Sequence, residues 1–318
     1  MAKANNGNWQ TANRWARFLR QSWQVDLVPA TTIVLPAHAP GLTIALHARR
    51  SAAALAAYCA AFPSMPSILV LTGTDLYRDI RQDADAQQSL RLATRLVVLQ
   101  EAGLQELPAE LRAKASVIYQ SAATLKPGIR RNTPRHFDVT MIGHLREEKD
   151  PATYLRAAAL IEDASIRLFH VGAALDPVLG ELARHTEQHF PGYRWLGSLP
   201  HAAARQHLKH CDLMVISSHM EGGANVIIEA VTCGVPVLAS DISGNRGMLG
   251  ADYAGYFPPG DSAALAALIR RAARDADFLG LLAQQCAQRT ALFAPAAEKT
   301  TLLELVDNCV IQSTAGNP

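Results

Sequence analysis

The chain has 318 residues, 49% of them hydrophobic and 18% charged, with Lys+Arg 30 against Asp+Glu 28 for a net charge of +2. That length suits about two domains with a sizeable core. The balanced charge, without a dense Lys/Arg run, excludes a general nucleic-acid binder and makes any anion site a local one. No apolar run reaches the ~18 residues of a membrane span, and the opening MAKANNGNWQ carries no signal core. Five scattered cysteines form no CxxC pair, as expected of reduced thiols in the cytoplasm.

In chain order the first element is a helix over 10–21, preceded by NNGN at 5–8. Such a loop can approach a phosphate closely. In a doubly wound fold it follows a central strand, but only four residues precede it here, so the leading strand is expected to be missing by a truncated start. Short apolar runs then alternate with helical patterns. Strands are predicted at 42–48, 67–73, 95–100 and 116–120, with helices at 51–61 and 84–93. After a break come strands at 137–143, 165–172, 212–218 and 235–240, and helices at 150–162, 177–188, 201–209, 224–232 and 262–275. The strands are rich in Val, Ile and Leu on both faces, as parallel strands covered by helices should be, and the alternation predicts an α/β architecture.

The break, ATLKPGIRRNTPRHF at 123–137, contains Pro127, Gly128 and Pro134 with Lys126, Arg130, Arg131 and Arg135, and reads as a basic linker between two sets of βα units. The predicted domains are 1–130, 131–295, and a final helix and tail over 296–318, where AEKTTLLELVDNCVIQ is amphipathic.

The stretch SSHMEGGANVIIEAVTCGVP (217–236) places Glu221, Gly222 and Gly223 between a predicted strand and the helix 224–232. That turn lies at the carboxyl edge of the sheet, where α/β proteins bind ligands. The glycines allow close backbone approach, and the helix N-terminus suits a phosphate or diphosphate. Glu221 and Glu229 would accept bonds from sugar hydroxyls, with Asn225 one turn before Glu229 on the same face. Two carboxylates for two sets of hydroxyls, with a diphosphate between, describe a nucleotide sugar. The plainer alternative makes Glu221 a helix-start acid and Glu229 a solvated helix residue.

MEGGANVIIEAV followed by CGVPVLASDISGN resembles the paired-glutamate motif of retaining glycosyltransferases of the family 4 type. The resemblance implies a GT-B fold, with two Rossmann-like domains whose parallel sheets face across a cleft. It also implies Glu221 as the donor-sugar contact, Glu229 as the ribose contact, and Gly222, Gly223, Ala224, Asn225 and Val226 as the diphosphate and sugar cradle. MIGHLREEKDPATYLRAA (141–158) resembles the first strand–loop–helix of the same family's donor domain, usually Gly-Arg-Leu then Lys-Gly. Gly143 and Lys149 match; Asp150 stands for the usual glycine and His144 for the usual arginine, where it could bond a phosphate or merely replace the arginine sterically, and the resemblance counts Gly143 and His144 among the donor-binding residues. Arg146 and Lys149 are then diphosphate partners through charge-assisted bonds, with a solvated charge cluster as the alternative.

GNWQTANRWARFLR, LTIALHARRSA, VLTGTDLYRDI, VVLQE, IGHLREEKDP, MEGGANVIIEA and SGNRGMLGADYAGYF together resemble the SenB family, the selenosugar synthases of selenoneine biosynthesis, over nearly the whole chain. The resemblance implies transfer from a UDP-sugar, typically UDP-N-acetylglucosamine, to selenophosphate, giving a 1-selenosugar and UDP. It implies no cofactor and no metal, small-molecule substrates, neither nucleic acid nor membrane as partner, and hand-over to the next enzyme of that pathway. An anionic selenium nucleophile has little need of a general base; the site must instead hold the leaving UDP, through the helix start with Arg146 and Lys149. Catalytic roles are expected for Glu221, His47, Lys149 and Arg146. The acceptor seat is expected from Gly7, Asn8, Arg49, Thr72, Gly73, Thr74 and Asp75. Thr74 or Asp75 could instead cap a helix, and His47 could be a satisfied, half-buried histidine. The rival functions are a hexosyltransferase with an alcohol or lipid acceptor, an epimerase of UDP-N-acetylglucosamine, and a non-catalytic nucleotide-sugar-binding protein.

Overall fold

The computed structural model describes residues 7–29, 33, 35, 38–125 and 136–315, with side chains as far as residue 311. Asn5 and Asn6 of the NNGN loop and the basic residues of the break (Lys126, Arg130, Arg131 and Arg135) lie outside the described residues. The chain forms two compact units. Unit 1 is Met1–Ser121 with Glu221–Gly223 and Ala294–Pro318; unit 2 is Ala122–Met220 with Ala224–Phe293.

Unit 1 runs α1 (Gly7–Leu19), β1 (Thr43–Leu46), α2 (Ala52–Ala61) and β2 (Ser67–Val70). A π-helical turn, Asp75–Asp79, leads into α3 (Ile80–Gln82), then α4 (Ala84–Leu92), β3 (Arg95–Val98), α5 (Gly103–Glu106), a 3-10 turn Ala109–Lys114 and β4 (Ala115–Val117). The four strands are parallel in the order β1-β2-β3-β4. Successive strand side chains point to opposite faces, and the core divides accordingly. Leu69, Leu71, Leu96 and Val98 pack with Leu55 of α2 and Leu90 of α4. Ile68, Val70, Val97 and Leu99 pack on the other face with Trp15 and Leu19 of α1 and with Leu302, Val306 and Cys309. Those last three lie on the final helix, predicted over 297–312 and observed as Pro295–Ala315.

Unit 2 runs β5 (Phe137–Ile142), a 3-10 turn Glu147–Lys149, α6 (Pro151–Ala159), β6 (Ile166–Val171), α7 (Pro177–His189), β7 (Tyr193–Trp195), α8 (His201–His210), β8 (Leu213–Ile216), α9 (Asn225–Thr232), β9 (Val237–Ser240), α10 (Ser243–Leu249), β10 (Tyr256–Phe257), α11 (Ser262–Arg274), α12 (Ala276–Arg289) and a 3-10 turn Thr290–Phe293. The final helix of unit 1 is α13. The sheet order is β10-β9-β8-β5-β6-β7, all parallel. This is the doubly wound order: the chain starts at β5, builds outward through β6 and β7, then returns to β8 on the other side. The reversal between β5 and β8 is a topological switch point, where the loops at the carboxyl ends part and leave room for a ligand.

The eight predicted strands and the predicted helices all occur, with ends shifted by a few residues. Helix 10–21 begins earlier, so Gly7 and Asn8 are its first residues and not a loop. The π turn, the 3-10 turns, the short helices α3 and α5, α10, α12 and the short strands β7 and β10 were not anticipated.

Candidate functional site

At the switch point of unit 2 two loops are tied together. The loop after β5 begins at Gly143, whose N–H bonds the Val171 carbonyl at 2.9 Å. Its carbonyl accepts from His170 Nε2 at 3.1 Å, while His170 Nδ1 accepts the Tyr193 hydroxyl at 3.2 Å. His170 is fully buried, and burial pushes its imidazole down to about 4. Leu145, also fully buried, donates to Ala173 and accepts from Leu175 and Asp176, which ties the loop to the segment after β6. The loop after β8 then grips the far end: Ser217 Oγ bonds the carbonyls of Lys149 and Asp150 at 3.1 and 2.8 Å, and His219 N–H bonds the Glu148 carbonyl at 2.9 Å.

Asp150 stands where the family pattern has glycine, and the reason is visible. Its backbone is left-handed, φ 41° and ψ 57°, a region open to glycine and tolerated by aspartate. Its carboxylate accepts from Thr153 N–H at 3.2 Å and from Thr153 Oγ1 at 2.5 Å, capping α6. Lys149 lies along Gly143, its Cγ 3.7 Å from where a Cβ would stand. Arg146 is about half exposed and 3.9 Å from Glu148. His144 is exposed and accepts from Ala173 N–H at 3.1 Å; lost hydration, then Arg146 and Lys149, hold its pKa below the usual value.

Helix α9 opens at the same edge. Helices α4, α6, α7, α11 and α12 each begin on an aspartate that accepts a first-turn N–H. Helix α9 begins on Ala224, and no side chain caps it. An uncapped helix start at a switch point is a natural anion site. Asn225 and Val226 are its first residues, and Glu229 one turn on is buried, not solvated. Glu229 Oε1 bonds His201 Nε2 at 2.6 Å. Sequence reasoning missed His201, since nothing in SLPHAAARQ marks a contact 28 residues away.

Glu221, Gly222 and Gly223 group with unit 1. Glu221 is buried, 8% exposed. A Cβ on Gly222 would stand 2.5 Å from the Thr72 carbonyl carbon and oxygen and 2.7 Å from Gly73 N; one on Gly223 would stand 2.7 Å from Leu99 Cβ. Gly222 therefore admits close approach of protein backbone and Gly223 that of the Leu99 side chain, where the sequence suggested a ligand.

The expected acceptor residues form an inward-bonded cluster in unit 1. Asp75, fully buried, takes N–H bonds from Thr72, Gly73 and Ala48, each at 2.9 Å, joining the ends of β1 and β2. Neither Thr74 nor Asp75 caps a helix in the expected way; Thr74 makes no side-chain cap bond. His47 is 2% exposed with φ 77°. Its Nδ1 accepts from Arg50 N–H at 3.3 Å, which leaves the proton on Nε2, 3.1 Å from Thr74 Oγ1. Burial lowers its pKa. Arg49 and Arg78 both pair with buried Asp79, at 3.2 and 3.1 Å. Gly7 and Asn8 sit apart from this cluster in sequence, on the first turn of α1. Among the described residues no group of His, Cys, Asp or Glu is arranged to hold a metal ion, and no helix is long and apolar enough to cross a membrane.

Residues 129–291, just over half of the chain, match the family described as glycosyl transferases group 1, and the chain belongs to that family. It is 28% identical over 124 residues to glycosyltransferase 1 domain-containing protein 1 of Xenopus tropicalis, covering 38% of this chain and 36% of that protein. It is 34% identical over 80 residues to the putative teichuronic acid biosynthesis glycosyltransferase TuaC of Bacillus subtilis, covering 25% of this chain and 21% of that one. The matched part thus spans about a third and a fifth of these relatives' own lengths. The crystal structure of Anabaena Alr3699/HepE in complex with UDP and glucose superposes with a TM-score of 0.67 at 19% identity, over 84% of this chain and 78% of that one. The fold is GT-B, with a parallel sheet in each of two α/β units.

Proposed function

We propose that the chain transfers a sugar from a UDP-sugar, with UDP-N-acetylglucosamine the expected donor, to selenophosphate, as a selenosugar synthase. The observation that carries the donor half is the uncapped start of α9 at the switch point, following the β8 loop that bonds the Glu148 and Lys149 carbonyls, and one turn before buried Glu229. Glu229 binds the ribose, the α9 start with Lys149 and Arg146 binds the diphosphate, and Glu221 binds the donor sugar. The UDP complex of Anabaena HepE agrees with a uridine donor. The selenium half rests on the run of motifs from GNWQTANRWARFLR to SGNRGMLGADYAGYF.

In the reaction, a selenium lone pair attacks the anomeric carbon while the carbon–oxygen bond to the diphosphate breaks and UDP leaves with that electron pair. The immediate adduct is sugar–Se–phosphate. Water then cleaves the Se–P bond to give the 1-selenosugar and phosphate. His47, Arg49 and the Thr72–Asp75 loop are proposed for the acceptor side. Arg49 and the Thr72 and Thr74 hydroxyls are the more accessible members, since His47 and Asp75 bond inward.

Anaerobic mass spectrometry with UDP-N-acetylglucosamine and selenophosphate, beside phosphate and thiophosphate controls, tests this. A sugar bearing the selenium isotope pattern, with stoichiometric UDP, is expected. UDP binding without any selenium-bearing product would refute the acceptor and leave the donor site standing.

A second reading keeps the donor and changes the acceptor to a lipid-linked alcohol. It is favoured by the exposed Trp9, Trp23, Val28, Ile33 and Leu35 of unit 1, since apolar side chains at a surface suit a lipid boundary. Flotation with anionic vesicles and failure of the selenophosphate assay would together select it.

A further inference from the structure

His201 opens α8, with its side chain half exposed, and reaches Glu229 on α9, whose side chain is 11% exposed. The contact, Nε2 to Oε1 at 2.6 Å, is short even for a charge-assisted bond. It engages one carboxylate oxygen of the residue assigned to the ribose. Two other titratable side chains bear on the pair. Arg205, one turn along α8, opposes a charge on His201. Cys233, at the end of α9, is a buried thiol near both Arg205 and Glu229, and burial raises its pKa.

A carboxylate on a helix has several rotamers. If it must accept from two vicinal hydroxyls, a partner that fixes one rotamer before binding removes an entropic penalty from the ligand. A second effect is electrostatic. Glu229 lies one turn inside the helix start that receives the diphosphate, and an uncompensated carboxylate there repels it. An imidazolium on Oε1 cancels that charge and leaves the remaining lone pairs of the carboxylate free to accept.

We infer that His201 is a positioning residue for the donor nucleotide, orienting Glu229 and neutralising it beside the diphosphate. This rests on the assignment of Glu229 to the ribose. The hydrogen bond to Glu229 raises the His201 pKa, and burial and Arg205 oppose it. The imidazolium is thus present below the raised value and lost as pH rises through it, so its help to UDP binding fades toward alkaline pH.

The test is calorimetric titration of UDP into the whole protein at pH 6.0 and 8.5, for wild type, His201→Ala, His201→Gln and Glu229→Gln. Because UDP ionises identically in every titration, ratios between proteins cancel its own pH dependence. His201→Ala is expected to weaken UDP about tenfold at pH 6.0. His201→Gln, which keeps a donor but no charge, should match wild type within about threefold at pH 8.5 and fall behind it at pH 6.0. His201→Ala binding like wild type at both pH values would overturn the inference. So would a wild-type to His201→Gln ratio that does not change with pH. Glu229→Gln separates the two readings. If it too binds UDP like wild type, the ribose assignment fails; if it alone weakens binding, only the role of His201 fails.

Discussion

Gly222 and Gly280 make opposite demands on a methyl group. At Gly222 a Cβ would meet the Thr72 carbonyl at 2.5 Å, whereas at Gly280, inside α12, nothing lies within 4 Å. Gly222→Ala should therefore lower stability by ~1–3 kcal/mol. Gly280→Ala should raise it by ~0.5–1 kcal/mol. Urea denaturation of both variants checks the pair. The two glutamates should separate kinetically. Glu221→Ala is expected to abolish transfer with UDP affinity within a few-fold of wild type, while Glu229→Ala weakens UDP itself; equal effects on UDP binding would refute the division. At this scale the sequence was informative about residue types and poor about their partners. The paired acids, the Gly143–Lys149 loop and the aspartate in a glycine's place could all be read from spacing and motif. That Gly222 faces a protein carbonyl, that Asp75 gathers three backbone N–H groups, and that His201 meets Glu229 could not, because each contact joins segments far apart in the chain.

Helix α13 closes one face of unit 1, and a single carboxylate anchors it. Glu298, its side chain fully buried, accepts from Trp15 Nε1 at 2.7 Å, Arg14 Nε at 2.7 Å, Ser121 N–H at 2.9 Å and Ser121 Oγ at 2.5 Å. Removing it strands four donors, one of them a partly buried cation's. Glu298→Ala is expected to destabilise the protein by ~3–5 kcal/mol, read as an earlier midpoint in guanidinium denaturation. Elements with long apolar runs or clear periodicity were legible in the sequence. Those that were missed have physical reasons. Strands β7 and β10 are edge strands of three and two residues, too short for a period. Helix α12 follows α11 with Asp275 alone between them, serving as the end of one and the cap of the next. Helix α10, SGNRGML, has two glycines and little helix propensity, so its form comes from its surroundings: Asn245 is wholly buried and bonds Ser240.

Across the molecule, buried histidines set the acid limit. His170 folds as the neutral form, with a pKa of about 4 against 6.5 unfolded. The unfolded chain therefore binds the extra proton between those values. Stability is full above 6.5 and falls as pH drops toward 4, by up to ~3 kcal/mol from this residue. Burial of His47 and His207 acts in the same direction. His201, raised by Glu229, acts oppositely: its contribution is present at low pH and lost as pH rises through its folded value. Melting temperatures between pH 4 and 7 should show a flatter slope for His170→Gln than for wild type. The strand order that creates the switch point was legible only as a fold class, since the sequence does not state that β8 returns beside β5. The closure of unit 1 by α13 also has a consequence for biosynthesis. Trp15 must wait for Glu298, 283 residues later, which at ~5–20 residues per second of translation is roughly 15–60 seconds. Unit 2 lies wholly between the two, so it can mature on the ribosome while the part of that apolar face reserved for Leu302, Val306 and Cys309 stays uncovered. In the cell that face is the surface a chaperone would have to guard, and a nascent chain that stalls before residue 298 would release a finished second unit joined to an unfinished first.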